Sequence, residues 1–412
     1  MVTPLLASRR FLPLFVTQFL GALNDNLFKN AMAVLLLWKA GEAGPLLVVA
    51  AGGVFILPYA LFSGLAGELA DRSEMAGLIR KIKVFEIVLM VLGAVGLVEG
   101  SPLLLMTVLF GLGVHSTFFG PLKYAILPLH LAHDELVTGN GLIEAGTFLA
   151  ILVGTIMGGG LVLGAGGTAI VSACGIAVAV AGYVASRAIP AAPAAAPSLS
   201  LDWNLWRGTA AILAIGRGNP PVWRAIMAIS WFWTVGATVL SQFPVMAKDV
   251  LGAGSGVVTL FLATFSIGIG AGSMLEARLL KGEVSLRHIP WALFGISVFC
   301  ADFVIACDGS HVADVATLVA APRGWRVIAD LFALALCGGV FSVPLYALLQ
   351  ERSAVAVRSR IIAANNVMNA LFMVAGAAVA AVLTATGAGA PTILVVTAAA
   401  NLVALALLLR WK

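Results

Sequence analysis

The chain has 412 residues, of which 61% are hydrophobic and only 10% charged, with a formal net charge of +5 and a mean hydropathy of +1.05. Soluble domains are about 25% charged, so this chain cannot cover a water-soluble surface, and it is far too apolar for disorder. Its apolar runs are long and continuous, unlike the ~10-residue alternating strands of outer-membrane barrels. They predict an all-α integral membrane protein, and at roughly 30–35 residues per span and loop the length predicts twelve spans.

In chain order, the first apolar run follows Arg9 and Arg10 and reaches Trp38. It is too long for a signal-peptide core and contains Asp25 and Lys29, so it reads as the first span. Spans are predicted at 11–38, 46–70, 78–98, 102–128, 137–163 and 168–187, then at 222–246, 255–280, 289–307, 325–349, 361–386 and 391–409. Between the two sets lies the longest polar interruption, with PAAPAAAPS at 190–198 and GRGNPP at 216–221. Repeated prolines disfavour a span there. The chain therefore divides into an N-terminal six-helix half (1–187), a linker (188–221) and a C-terminal six-helix half (222–412). Trp203 and Trp206 in the linker suit a membrane interface.

Charge placement predicts the topology. One side holds Arg9, Arg10, Arg72, Arg80, Lys81, Lys83, Arg187, Arg207, Arg217, Arg224, Lys281, Arg287, Arg352, Arg358, Arg360, Arg410 and Lys412. The other holds Lys39, Lys248, Arg323 and Arg326. By the positive-inside rule both termini and the linker are cytoplasmic. The four cysteines, Cys174, Cys300, Cys307 and Cys337, lie in apolar runs. Cys300 and Cys307 are two helical turns apart, roughly 10 Å, too far for a disulfide, and all four read as inert thiols.

A weak internal repeat pairs Gly64–Arg72 after the second span with Gly268–Arg278 after the eighth: both are glycine-rich helix ends followed by charges. Two such halves are a transporter layout. Small residues, including Gly154 with Gly158, also serve close helix packing.

Ionisable residues inside spans cost roughly 2.5–3.5 kcal/mol on insertion scales and mark functional sites. Span one carries Gln18, Asn24, Asp25, Asn26 and Lys29, with Asp25 and Lys29 one turn apart and able to pair. Span four carries His115, Ser116, the Gly120–Pro121 step and Lys123. His115 reads either as a proton carrier or as an interhelical hydrogen-bonding group, and Lys123 either enters a cavity or snorkels. Span five aligns Asn140, Glu144, Thr147 and Thr155, with a Glu144–Lys123 pair as the alternative to ligand contact. The second half offers Trp231, Thr234, Thr238 and Gln242, then Ser342, Tyr346 and Gln350, then Asn365, Asn366 and Asn369. These line a cavity or bond between helices. Asp302 and Asp330 are placed to answer Arg323 and Arg326. Both signs of charge in the first half, facing a neutral aromatic second half, suit a zwitterionic or anionic headgroup on a hydrocarbon tail. Lys29 or Lys123 would hold its phosphate and Asp25 or Glu144 its amine.

No G-x-x-x-x-G-K-[ST] or H-E-x-x-H occurs. His130, His133, Asp134 and Glu135 read as a solvated turn, one residue short of an H-x-x-x-x-D acyltransferase motif. With no nucleophile constellation, the chain reads as a non-enzyme that uses no cofactor or metal.

Gly67-Glu-Leu-Ala-Asp71-Arg72 resembles the signature loop of the major facilitator superfamily. That resemblance implies that Asp71 closes the cytoplasmic side against the start of span eleven near Ile361, beside Arg358 and Arg360, as a carboxylate at a helix N-terminus. The family's following glycine and paired basic residues are here Ser73-Glu74. The second copy, near Gly272, lacks the aspartate. More specifically, Phe11–Asn30, His115–Pro128, Asp134–Leu136, Gly141–Ala150 and Ala364–Phe372 resemble the bacterial lysophospholipid transporter family. This implies a flippase that moves lysophosphatidylethanolamine and related lysolipids from the outer to the inner leaflet of the bacterial inner membrane. A separate cytoplasmic acyltransferase/acyl-carrier-protein synthetase would reacylate them. Gln18, Asn24, Asp25, Lys29, His115, Lys123, Glu144, Trp231, Tyr346, Asn365 and Asn369 are then the expected route, and Gly67, Asp71, Arg72, Arg358 and Arg360 the expected gate. Two rivals stay open: a proton-coupled exporter of amphiphilic drugs or other small molecules, and a membrane-embedded lipid enzyme.

Overall fold

The computed structural model describes residues 5–39 and 41–410, with side-chain burial omitted at position 45. Lys412, counted above among the topology charges, lies outside the described residues. Twelve long helices follow one another among the described residues: α1 (Leu12–Lys39), α2 (Gly44–Arg72), α3 (Met75–Glu99), α4 (Pro102–Ala125), α5 (Leu136–Leu161) and α6 (Gly167–Ser186), then α7 (Pro220–Val245), α8 (Ser255–Leu280), α9 (Ile289–Cys307), α10 (Pro322–Arg352), α11 (Arg358–Ala385) and α12 (Ala390–Leu409). Among the described residues, ten helices are long and apolar enough to cross a membrane. α1 and α3 are as long but carry charges in mid-helix. The expected boundaries agree to within three residues; α3, α10 and α11 each begin three residues earlier than expected, at Met75, Pro322 and Arg358, and α10 also ends three later, at Arg352. The N-cap of α3 is Glu74, whose carboxylate accepts from the Ala76 and Gly77 amides at 3.0 and 2.6 Å. That satisfies donors a helix start otherwise leaves open.

Within each half, small residues set the closest helix approaches. A Cβ on Gly158 would lie 2.2 Å from Leu27 O, and one on Gly154 2.4 Å from Leu23 O, so α5 lies directly on the α1 backbone. In the second half a Cβ on Gly272 would lie 1.9 Å from Leu336 O, locking α8 to α10. The second copy of the repeat also meets the first half, since a Cβ on Gly141 of α5 would lie 2.9 Å from Ser273 O, while at its end buried Glu276 meets His288 Nδ1 at 2.9 Å. Of the charges expected at the outer end, Arg326 pairs with Asp302. Arg323 instead donates to the Ile305 and Ala306 carbonyls, each at 3.0 Å, at the end of α9. The cysteines are free thiols.

The linker is bonded into the first half. The Ala192 amide donates to Glu74 Oε1 (2.9 Å), Ala196 to Asp71 O (2.7 Å) and Asp202 to Glu68 Oε2 (2.8 Å). A short helix, Leu205–Arg217, follows, with Asn204 as N-cap. It reaches α2 through Thr209 Oγ1, which donates to Ala60 O at 3.3 Å. Trp203 and Trp206 stay exposed, as an interfacial position requires.

Candidate translocation route and gate

The charged residues of α1, α4 and α5 come together, but not in the pairs their spacing allowed. Asp25 and Lys29, although one turn apart, form no ion pair: Asp25 Oδ2 accepts from Ser116 Oγ at 2.7 Å, while Lys29 Nζ sits 4.2 Å from the centroid of the Phe55 ring. Lys123 and Glu144 are likewise unpaired. Glu144 Oε1 accepts from Tyr124 Oη at 2.8 Å, and Lys123 Nζ lies 4.7 Å from the Tyr124 ring centroid. Asp25 Oδ1 and Glu144 Oε2 are buried without a hydrogen-bond partner. Both ammonium groups thus rest on aromatic faces, which hold a cation without neutralising it. Two carboxylates each keep one oxygen free. This arrangement can receive a charged group of either sign.

Behind Asp25 lies a cluster that the sequence reading divided wrongly. Lys83, assigned above to a cytoplasmic loop, is fully buried and forms an ion pair with buried Glu86. Because α3 starts at Met75, Lys83 lies more than two turns inside it. Asn24 Nδ2 donates to Glu86 Oε1 at 3.0 Å, and His115 Nε2 stands 3.2 Å from Glu86 Oε2. Space for the lysine is made by Gly21 and Gly182, where a Cβ would lie 3.3 and 3.0 Å from Lys83 Nζ. Asn24 and His115 therefore face this ion pair. Glu86 was missed altogether, although Lys-x-x-Glu at one-turn spacing in an apolar run was a usable signal.

Other residues bridge the halves. Tyr124 stacks on Tyr346 with ring centroids 4.4 Å apart, and Trp233, bonded within the second half to Tyr346 Oη at 2.9 Å, stacks on Phe148 of α5 at 6.1 Å. Asn140 and Gln350 exchange amide hydrogen bonds at 2.6 and 3.1 Å, and Gln350 Nε2 also donates to Tyr124 O. Gln18 instead stays within the first half, accepting from Thr147 Oγ1 at 3.1 Å. Trp233 thus takes the position expected of Trp231. Trp231 turns outward, donating through Nε1 to Asn401 Oδ1 on α12 at 2.8 Å. Asn369 stays within the second half, accepting from Ser230 Oγ at 2.9 Å. Asn365 is buried on α11, its amide without a hydrogen bond.

The hydrogen bonds crossing between halves gather at the end that carries Arg72 and Arg352. There Asp71, fully buried, accepts from the Ser359 amide (3.0 Å) and Arg360 Nε (2.9 Å), at the N-terminus of α11. The helix dipole and a guanidinium both favour a carboxylate at that point. Gly67 permits the approach, since a Cβ there would lie 2.8 Å from Arg360 Cα. His133 Nε2 meets Glu351 Oε1 at 3.2 Å. Two expected gate residues lie elsewhere. Arg358 donates to Gln350 O at 3.1 Å, tying down the end of α10, and Arg72 is exposed with no bond among the described residues. Outside the spans, Arg10 grips Glu135 through two bonds of 2.6 Å. That hydrogen bonding and charge hold the Glu135 carboxyl below its ordinary pKa. Among the described residues no group of three His, Cys, Asp or Glu is placed to hold a metal.

Comparison with known proteins matches this architecture. The family model described as Major Facilitator Superfamily matches residues 14–321. A lysophospholipid transporter of Escherichia coli O157:H7 (strain EC4115 / EHEC) is 31% identical over 350 residues, 82% of this chain and 79% of its own. One from Serratia proteamaculans (strain 568) is 29% identical over 360 residues, 85% and 82% of the two chains. Among solved structures, the human organic anion transporter MFSD10 superposes with a TM-score of 0.78 at 15% identity, covering 97% of this chain and 99% of its own. A bacterial homologue of the iron transporter ferroportin in an outward-facing state superposes with a TM-score of 0.72 at 14% identity, covering 97% and 98%. The chain belongs to the major facilitator superfamily and, within it, to the lysophospholipid transporter family.

Proposed function

We propose that this protein moves lysophospholipids across the bacterial inner membrane, from outer to inner leaflet, by alternating access of its two halves. The reading rests on its relatives and on one observation: Asp25, Lys29, Lys123 and Glu144 are held without ion-pair partners among the described residues, although burying unpaired charge is costly. A phosphate would find Lys29 and Lys123, and an ethanolamine amine would find Asp25 or Glu144, while the single acyl tail stays in lipid. With the arginine-rich end cytoplasmic, the Asp71–Arg360 contact closes the inside and the route opens outward. A separate cytoplasmic acyltransferase/acyl-carrier-protein synthetase would draw net flux by consuming the product.

The test is movement of fluorescent lysophosphatidylethanolamine in proteoliposomes, with and without a pH gradient. Transport is expected in both conditions, and Lys29→Ala and Glu144→Ala should slow it with elution of folded protein unchanged. No movement in either condition would end the lipid reading. Movement only under the gradient would favour coupling through His115, which stands beside Glu86.

A further inference from the structure

On the outer flank of the second half, α12 lies against α9, with Asn401 Nδ2 donating to Leu293 O (2.7 Å) and Ser297 Oγ donating to Ala398 O (3.0 Å). Its later turns stand off from α7 and α11. The gap is a cavity of about 430 Å³ lined by Met227, Trp231, Phe341, Phe372, Ala404 and Leu407, among others. The one polar side-chain group in its wall, the Trp231 indole N–H, is already satisfied by Asn401 Oδ1. An apolar cavity of this kind does not hold water. Leaving it empty would forfeit contacts along its whole wall, so hydrocarbon is the fitting content.

The space between the halves does not lead into it. α7 and α11 are sealed between this cavity and the space between the halves by the Ser230–Asn369 bond of 2.9 Å. Gly376 adds to the seal, since a Cβ there would lie 2.6 Å from Thr234 Cγ2. The occupant must come from the surrounding leaflet. One turn beyond Met227 and Ala228 on α7 is Arg224, and just beyond Leu407 and Leu408 on α12 is Arg410. α7 starts and α12 finishes at this end, so both exposed arginines stand at the same mouth of the cavity.

We propose that this crevice is a binding site for a resident anionic diacyl phospholipid, with one acyl chain between α7, α11 and α12 and its phosphate between Arg224 and Arg410. The lipid fills the wall that α12 leaves open and braces the second half. Basic residues at a membrane surface attract anionic lipid, and an apolar slot beside them fixes where one molecule sits.

The test uses purified protein in phosphatidylcholine nanodiscs, titrated with phosphatidylglycerol brominated on its acyl chains. The readout is the tryptophan quenching lost in Trp231→Phe. Saturation is expected at a low mole fraction of brominated phosphatidylglycerol, and not with brominated phosphatidylcholine. Arg224→Gln and Arg410→Gln should each raise the half-saturating fraction about fivefold. Ala404→Phe, which fills the slot, should abolish the saturable phase while the arginines remain. Equal quenching by the two lipids, or no effect of either arginine change, would leave only ordinary annular lipid and overturn the proposal. So would displacement of the bound lipid by lysophosphatidylethanolamine, which would make the slot a cargo site.

Discussion

The Lys83–Glu86 pair supports a quantitative prediction. Glu86 is fully buried and has three partners on three helices: Lys83 on α3, Asn24 on α1 and His115 on α4. Glu86→Gln keeps an oxygen for Asn24 and nearly the same volume, yet leaves the buried ammonium without a counter-charge. Breaking a buried pair in this way costs about 3–5 kcal/mol. Lys83→Met removes the other charge but leaves Glu86 facing Asn24 and His115, so its loss should be smaller. The double variant carries neither charge, and replacing a buried pair with uncharged groups of similar volume is often neutral. The expected order of stability is wild type and double variant together, then Lys83→Met, then Glu86→Gln. The assay is the midpoint for loss of the monodisperse peak when detergent-purified protein is heated and passed over a sizing column. If the double variant falls by the sum of the singles, the groups do not interact, and a buried ion pair at this position is wrong.

Three further outcomes follow from the gate and the loops. Asp71→Asn weakens charged hydrogen bonds worth about 1.5–3 kcal/mol each, so a cysteine placed at position 140 in a cysteine-free background should react faster with maleimide from the arginine-rich side. Gly67→Val sets bulk where α2 meets Arg360 and should abolish transport while leaving expression and elution intact; normal flux would refute the close approach. Arg10 holds the Glu135 carboxyl below its ordinary pKa, so the bond's contribution is full at neutral pH and fades as pH falls through that lowered value. Both side chains are partly exposed, so the contribution should be within about 0.2–1 kcal/mol, and the stability gap between wild type and Glu135→Gln should close on acidification.

The spans were legible because long apolar runs admit few other structures. The Asp71 contact was legible as well, because a glycine-rich helix end followed by Asp-Arg resembles a known loop and the physics of a helix N-terminus supplies its partner. What one-dimensional spacing could not decide was which of two nearby groups a side chain prefers. Asp25 and Lys29 are correctly spaced for each other, but Ser116 and Phe55 on neighbouring helices intervene. Trp231 and Trp233 differ by two residues, which turns them to nearly opposite sides of α7, and only the packing of α10 and α12 assigns Tyr346 to one and Asn401 to the other. Lys83 was misplaced for a simpler reason: three residues at the start of α3 decide whether it lies at the surface or beside Glu86.

The bonded linker changes what joins the two halves. Its hydrogen bonds at Ala192, Ala196, Asp202 and Thr209 all run to the first half, and the next side-chain bond, from Asn219 Nδ2 to Arg352 O at 3.1 Å, belongs to the second. Parting Asp71 from Arg360 breaks none of the first set. The long connection is therefore held from both sides: its hydrogen bonds run to α2 and α3, while the helix Leu205–Arg217 also packs on α11 and α7, with Arg217 over the Trp223 ring. Any swing of one half against the other would have to slide α7 and α11 past that helix, which makes the linker a bearing between the halves.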